Sequence, residues 1–210
     1  MIAISILQTI LTNILKGIYE PFGFAILLAV FFMFFYLFAK ATSWKRAVKI
    51  WLEVFRKSAE FRKMFLFAFY VALMLFRTLL NRSIWSNPLS NVMGGWGLRG
   101  DDGKISTEAI ENVFLFIPFI LLLFWTFSEK LWRRKKVLHM MAAALGISFG
   151  TSLGIEFLQL LLCLGTFQLA DLFYNTLGGV LGGALYVAGM KGKEAWKKAH
   201  LEKEKGKESE

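Results

Sequence analysis

Long apolar runs constrain this chain more than any other feature of its sequence. Residues 22–39 read FGFAILLAVFFMFFYLFA, without one charged side chain. A hydrocarbon core of about 30 Å is crossed by roughly 20 apolar residues in a helix. Backbone polar groups in lipid must be satisfied within the spanning structure, and nothing here has the short alternating strands of a transmembrane barrel. The sequence therefore predicts an all-α integral membrane protein, a bundle of about five transmembrane helices. The five segments are 22–39, 64–80, 112–127, 139–163 and 171–190.

The composition agrees with this fold class. Of 210 residues, 56% are hydrophobic and 22 are Phe, and the mean hydropathy is +0.52, which is too apolar for a soluble domain of this size. The single cysteine, Cys163, excludes an intramolecular disulfide and a cysteine-based metal cluster. Two histidines, His139 and His200, leave little for a zinc or iron site. We expect neither a metal nor a cofactor.

Basic residues predict the orientation of the chain in the membrane. Segment 40–63 has eight Lys or Arg against two Glu, 128–138 has five against one, and 191–210 has seven against five acids. Loop 81–111 carries more acids than bases, and turn 164–170 has no charge. The positive-inside rule then places the N-terminus outside and the C-terminus in the cytoplasm. The net charge of +10 is interpreted as a topology signal that also attracts anionic lipids, so membrane lipids are expected partners and nucleic acid is not.

Two segments outside the spans have the pattern of amphipathic helices. In 1–20, one stripe of isoleucines lies apart from the polar residues, which is typical of a helix in the membrane interface. A sixth span is the alternative. A signal peptide is not favoured, because the segment has neither early basic residues nor a clear cleavage site. In 44–57, Trp51 and Phe55 share an apolar face opposite Lys and Arg. This segment is expected either on the inner leaflet or against the bundle. The isoleucine stripe is Ile2, Ile6, Ile10, Ile14 and Ile18.

The chain accordingly divides into four parts. Residues 1–20 form the interfacial helix, and 21–63 comprise the first span with a basic cytoplasmic linker. Residues 64–190 form a four-helix membrane domain. Residues 191–210 have mixed charge and few apolar side chains, so they are interpreted as a frayed, solvated cytoplasmic tail.

Polar residues within the last two spans lie on defined helix faces. At 100° per residue, the fourth span places a polar face opposite a glycine ridge that predicts close packing against a neighbouring helix. The polar face contains Ser148, Ser152, Glu156, Gln159 and Cys163, and the ridge contains Gly146, Gly150 and Gly154. The fifth span combines polar and small residues on one face, namely Asp171, Asn175, Gly178 and Gly182.

The short turn between these spans makes them antiparallel neighbours, which predicts Gln159 near the level of Asn175 and Glu156 near that of Gly178. Arg77 shares a face with Tyr70 and Asn81 on the second span, at a comparable outer depth. A charge in the membrane is costly unless it is paired or hydrated, and this depth brings Arg77 within reach of Glu156 and Asp171. Three interpretations stay open: a structural ion pair that fixes the packing, an outward-facing polar pocket walled by glycine and roofed by loop 81–111, or snorkelling to the interface.

Several of these residues also occur in a pattern that is similar to a known family. Segments 77-RTLLNR-82, 87-NPLSNVMGGWGL-98, 111-ENVFLFIPF-119, 155-IEFLQLLLCLGTFQLAD-171 and 174-YNTLGGVLGG-183 resemble the VanZ-like membrane proteins of bacteria, clostridial members in particular. The resemblance covers about residues 64–188 and depends on the order of Asn-x5-Pro, Glu-x2-Gln and Asp-x3-Asn-Thr-x-Gly. The matching residues are Asn112, Pro118, Glu156, Gln159, Asp171, Asn175, Thr176, Gly178 and Gly182.

The resemblance implies a bacterial envelope protein, since the family's namesake raises resistance to the glycopeptide teicoplanin. Many members have a basic residue in the turn before the aspartate and often a second acid beside that aspartate, whereas Thr166 and Ala170 stand near those places here. An ion pair within that turn is therefore not expected.

The first functional hypothesis is a non-enzymatic envelope protein that binds or shields a lipid-linked envelope precursor or a glycopeptide antibiotic. The predicted ligand-binding residues are Arg77, Asn81, Asn112, Ser152, Glu156, Gln159, Asp171 and Asn175. The alternatives are a membrane enzyme with Glu156 and Asp171 as general acid and base, and a small transporter or proton relay. The glycines of 178–183 serve a helix contact within the chain or in a homo-oligomer.

Overall fold

The computed structural model describes residues 2–38, 43–97, 106–131 and 136–208, and these residues are almost entirely helical. An isolated bridge between Ile84 and Leu164 is the only β-type pairing among them. The predicted all-α class is confirmed. The helices are α1 (Ile2–Tyr19), α2 (Phe22–Phe38), α3 (Trp44–Lys57), α4 (Ala59–Leu75), a π-helical segment (Phe76–Leu80), α5 (Glu108–Leu131), α6 (Val137–Leu162) and α7 (Leu169–Glu208).

The number of spans is close to the prediction. Within the described residues, four helical stretches are long and apolar enough to cross a membrane: Ile6–Met33, Ala59–Leu80, Glu108–Phe127 and Val137–Leu162. The first stretch runs through both α1 and α2. The fifth predicted segment, 171–190, is the first half of α7, whose polar residues and glycines lower its hydropathy. The count of five is therefore approximate.

The core lies between α5, α6 and α7. Phe116, Ile120 and Phe124 of α5 are completely buried, and they pack with Met140 and Ala144 of α6. Two glycines of α7 bring its backbone close to that of α5. A Cβ atom on Gly178 would collide with the carbonyl oxygen of Val113, and one on Gly182 with that of Ile117. The predicted packing role of these two glycines agrees with this geometry.

The predicted packing role of the glycine ridge on α6 is wrong within the described part of the chain. A Cβ atom on Gly146, Gly150 or Gly154 would meet nothing within 4 Å, and all three glycines are exposed. The polar face of α6 faces the bundle and its glycine face is directed away from it. Helical projection separated the two faces correctly, but it does not tell which of them a neighbour covers.

The register between α6 and α7 differs from the prediction by about two helical turns, because Asn175 lies beside Ser152 rather than beside Gln159. The amide of Asn175 donates a hydrogen bond to Ser152 Oγ over 2.9 Å, and the backbone N–H of Gln168 donates to the Glu156 carboxylate over 3.1 Å. Glu156 therefore lies beside the turn before α7 rather than beside Gly178. The turn folds back alongside α6, because Cys163 adopts a left-handed conformation with φ 54° and ends that helix.

The remaining helices surround this core. In α3, Trp51 and Phe55 pack on Phe61 and Phe65 of α4, so that its apolar face contacts the bundle, as in the second of the two interpretations. The predicted frayed tail is wrong as far as Glu208, because α7 continues as one helix of 40 residues, about 60 Å long. Its last part is rich in Ala, Glu and Lys, which favour helices. The membrane orientation and the interfacial position of α1 stay predictions.

Candidate ligand cavity

A cavity of about 220 Å³ opens where the π-helical segment, α5 and α7 meet, at the end of the bundle that is predicted to face outside. Its wall combines two guanidinium groups with carboxylate, amide and hydroxyl side chains. We call it the polar cavity. The lining residues are Arg77, Thr78, Asn81, Arg82, Glu108, Glu111, Asn112, Leu115 and Asp171.

The π-helical segment at the end of α4 shapes one wall. The N–H of Asn81 donates to the carbonyl of Phe76 over 2.8 Å, five residues back rather than four. Such wide turns are rare and frequently occur at functional sites. Here the Thr78 carbonyl accepts a hydrogen bond of 2.7 Å from the Gln159 side-chain amide of α6. The segment is thereby fixed to α6 while Arg77 and Asn81 line the cavity.

Arg77 pairs with a residue that the sequence analysis did not select. Its guanidinium forms a salt bridge with Glu111 in the first turn of α5, where the side chain of Glu111 is 10% exposed. The other oxygen of that carboxylate accepts a hydrogen bond from Thr107, whose hydroxyl also accepts one from Asn13 of α1 over 2.9 Å. The interpretation in which Arg77 pairs with Glu156 or Asp171 is wrong, because its partner is Glu111. The chain of contacts instead joins α1, α5 and the π-helical segment.

Asp171 and Asn112 meet at the opposite wall. The Asn112 amide donates to the Asp171 carboxylate over 2.7 Å, and Asp171 is 9% exposed. Arg82 lines the same cavity and interacts electrostatically with Asp171. Among the described residues, the exposed guanidinium of Arg82 forms no salt bridge. The polar cavity therefore holds a cation that retains free hydrogen-bond donors, opposite a carboxylate.

Four predicted ligand-binding residues lie elsewhere. Ser152, Glu156, Gln159 and Asn175 are buried between α6 and its neighbours, and none of them lines the polar cavity. Most of their polar atoms are occupied within the protein: Asn175 donates to Ser152, Gln159 donates to Thr78, and Glu156 accepts from Gln168. We call these four residues the buried polar face. The predicted site thus consists of two adjoining regions, since Glu156 lies within electrostatic range of Asp171 and Arg82 and Gln159 is hydrogen-bonded to Thr78.

The predicted site residues did not include Arg82, Glu108 and Glu111. All three were counted only as charges of the outer loop. A usable signal existed for Glu111, because it lies one residue before Asn112 in the first turn of an apolar helix, where a carboxylate is favoured and faces the same end of the bundle. Arg82 comes directly after Asn81, at the point where the second span ends.

The described part of loop 81–111 lies over the turn between α6 and α7. Phe167 N–H donates to the carbonyl of Pro88 over 2.8 Å, and Gly97 N–H donates to the hydroxyl of Tyr174 over 3.2 Å. Trp96 packs on Tyr174. Among the described loop residues before α5, Asn81 and Arg82 line the polar cavity, while the rest of the described loop covers the α6–α7 turn. Residues 98–105 of this loop lie outside the described residues.

A second, apolar cavity of about 160 Å³ lies beside the first, between α1, α4 and α5. Gly17 permits this arrangement, because a Cβ atom there would press on the guanidinium of Arg77. We call it the apolar cavity, and it shares Arg77, Glu111 and Leu115 with the polar cavity. Its lining residues are Ile14, Gly17, Ile18, Tyr70, Leu73, Arg77, Glu111, Phe114, Leu115 and Pro118.

Apolar helices of spanning length around a charged cavity define a helical membrane protein with a polar cavity at one end. The chain matches the VanZ/LLP1 family over residues 22–190 and belongs to that family. The match begins well before the resemblance seen in the sequence, and so includes α2 and α3. Comparison with curated proteins and with solved structures gives no match.

Proposed function

We propose that this protein acts in the bacterial cell envelope as a binding protein and contributes to resistance to teicoplanin-type lipoglycopeptide antibiotics. In this proposal, the polar cavity faces outside and binds or shields an envelope lipid or the antibiotic itself. The observation that carries it is the Arg82 guanidinium, which lines an open cavity with Asp171 without a salt bridge to a described residue.

The energetics of charges in membranes support a role in binding. A charged side chain in the membrane is costly unless it pairs with an opposite charge, faces water or binds a ligand. Arg77 and Glu111 satisfy each other, and Asp171 is oriented by Asn112. A guanidinium such as that of Arg82 matches phosphate and carboxylate groups through paired N–H donors. Asp171 and Glu108 offer acceptors for ammonium or hydroxyl groups in the same space.

Family membership supports the envelope assignment. The VanZ/LLP1 match and the apolar helices agree with a membrane protein of this family. The basic segments predicted to lie in the cytoplasm leave the polar cavity on the outer side, where the antibiotic and its lipid-linked target occur. The resistance role and the outer position of the cavity are both parts of the proposal.

Antibiotic susceptibility in a strain lacking the gene tests the proposal. Wild-type protein is expected to raise the inhibitory concentration of teicoplanin, whereas Arg82→Gln and Asp171→Asn are expected to lose most of that increase. Glu156→Gln belongs to the buried polar face and retains an acceptor for the Gln168 N–H, so it is expected to complement.

Matched controls make the same chemical changes on exposed residues away from the cavity. Arg46→Gln on α3 and Glu194→Gln on α7 are expected to behave like wild type. All variants are compared at equal membrane levels. If Arg82→Gln and Asp171→Asn both restored full resistance, the polar cavity would not be required for resistance and the proposal would be wrong.

A further inference from the structure

The two cavities lie at successive depths along the same helices. The polar cavity is lined by Thr78 and Asn81 on the α4 side, and the apolar cavity by Tyr70 and Leu73, one to two turns further from that end. On α5 the apolar cavity extends to Pro118 in the same direction. The order from the predicted outer end is therefore charged first and apolar second, as in one leaflet of a bilayer.

The wall between the cavities is narrow. The side chains of Arg77 and Glu111 contribute to both cavities. Their ion pair presents charge and hydrogen-bonding groups to the polar side, while the Tyr70 hydroxyl is bonded to the Leu115 carbonyl over 2.7 Å. With this hydroxyl occupied and the other lining residues mostly hydrocarbon, the deeper cavity is suited to an apolar chain.

We propose that the two cavities form one site for a phospholipid-like amphiphile, with its headgroup in the polar cavity and the first methylene groups of one acyl chain in the apolar cavity under α1. This inference rests on the proposed function and names its ligand class. Arg82 binds the phosphate, and Asp171 with Glu108 accepts hydrogen bonds from an ammonium or hydroxyl group of the headgroup. The Arg77–Glu111 pair lies at the junction of headgroup and chain. Ile14 and Ile18 of α1 contact the chain.

The charges of the polar cavity favour this headgroup over a purely anionic one. Once Arg77 and Glu111 are paired, Arg82 remains with two carboxylates, Glu108 and Asp171. A second phosphate would meet these carboxylates at close range, whereas a phosphate next to an ammonium or hydroxyl group matches both signs. A headgroup of the phosphoethanolamine type has this pattern.

Photo-crosslinking of the purified full-length protein in lipid nanodiscs tests the inference. The probe is lysophosphatidylethanolamine with a diazirine in its palmitoyl chain, and the control lipid is monopalmitoylglycerol with the same diazirine. The phosphate contact is expected to make labelling of segments 14–18 and 114–118 about tenfold stronger for the probe. Arg82→Gln is expected to reduce it to the level of the control lipid.

Substitutions in α1 test the chain position. Ile14→Trp fills the apolar cavity and is expected to abolish the selective labelling. Leu11→Trp makes the same kind of change on the exposed face of α1 and is expected to leave it intact. Ile18→Trp, at the partly exposed rim, is a second filling variant in case Ile14→Trp impairs folding.

The outcomes separate the inference from the proposed function. Equal labelling by both lipids, or selective labelling that persists in Ile14→Trp and Ile18→Trp, overturns the two-cavity site. In either case, loss of resistance in Arg82→Gln would still support the proposed function. A third outcome is selective labelling of the wild-type protein that Arg82→Gln loses, while Arg82→Gln retains full resistance. In that case the proposed function fails and the lipid site stands.

Discussion

The buried polar face and the polar cavity use the same residue types at the same end of the bundle, yet they differ in how far their hydrogen bonds are satisfied. Gln159 and Ser152 each have a partner inside the protein, whereas Arg82 faces an open cavity without a salt bridge to a described residue. A polar residue in an apolar helix is thus not in itself a binding residue. Asn175 Oδ1 in the buried polar face also has no hydrogen-bond partner among the described residues, but it is sealed from solvent. The difference teaches that a binding site requires incompletely paired donors or acceptors that also face open space.

The largest expected effect concerns the packed interior that holds the buried polar face. Gly178→Ala places a methyl group against the Val113 carbonyl, where the backbones of α7 and α5 are too close for it. We expect a loss of about 3 kcal/mol in the free energy of unfolding, at the upper end for overpacking. Thermal unfolding in detergent measures the change.

Gly150→Ala is the matched control for this prediction. Its new methyl group meets nothing within 4 Å, and alanine favours a helix over glycine by about 0.5–1 kcal/mol. We expect unchanged or slightly higher stability. Equal melting temperatures for Gly178→Ala and Gly150→Ala would contradict the close α5–α7 packing.

The second prediction separates stability from resistance. Gln159→Leu leaves the Thr78 carbonyl without its side-chain donor in a buried position, at a cost of about 2 kcal/mol. Resistance per folded molecule is expected to be unchanged, because Gln159 does not line the polar cavity. Thermal unfolding and susceptibility at equal membrane levels measure the two effects.

Gln8→Leu on the exposed face of α1 makes the same substitution without a buried partner, so it should leave stability unchanged. If Gln159→Leu lost resistance while remaining folded and Gln8→Leu did not, the division between buried face and cavity would be wrong.

Particular residues show how much the sequence could predict. Apolar length predicted the helices, and spacing predicted that Gly178 and Gly182 share a packed face of α7. The family pattern selected both Asn112 and Asp171, which are in contact. The partner of Arg77 could not be predicted, because several acids lie at one depth and only the helix rotations select Glu111. The α6–α7 register depended on how the turn at Cys163 folds back, and helical projection contains no information about that turn.

The third prediction concerns the boundary between the two cavities. A double-mutant cycle with Arg77→Met and Glu111→Gln is expected to give a coupling energy of about 1 kcal/mol, since the pair is partly shielded from solvent. Each single variant leaves one charge without its partner, so the double variant should be more stable than the sum of both losses implies. Unfolding in detergent at low and high salt measures the coupling.

For the Arg77–Glu111 cycle, Glu53 and Lys57 provide the control pair, because their salt bridge on α3 is exposed. Exposed pairs contribute little and are screened by salt. A coupling between Arg77 and Glu111 no larger than that of the control pair would contradict a structural role for this boundary.

The smallest expected effect lies in the turn that joins the buried polar face to α7. Cys163 has φ 54°, a left-handed conformation that is costly for a residue with a Cβ atom and free for glycine. Its backbone carbonyl accepts the N–H of Trp85 over 2.8 Å, and this contact does not need the side chain. Cys163→Gly should therefore raise the free energy of unfolding by about 0.5 kcal/mol, whereas Cys163→Ala retains the backbone cost.

Thermal unfolding of both variants measures this difference. A lower melting temperature for Cys163→Gly than for Cys163→Ala would show that packing of the side chain outweighs the backbone cost. Resistance should not change in either variant, because Cys163 does not line the polar cavity.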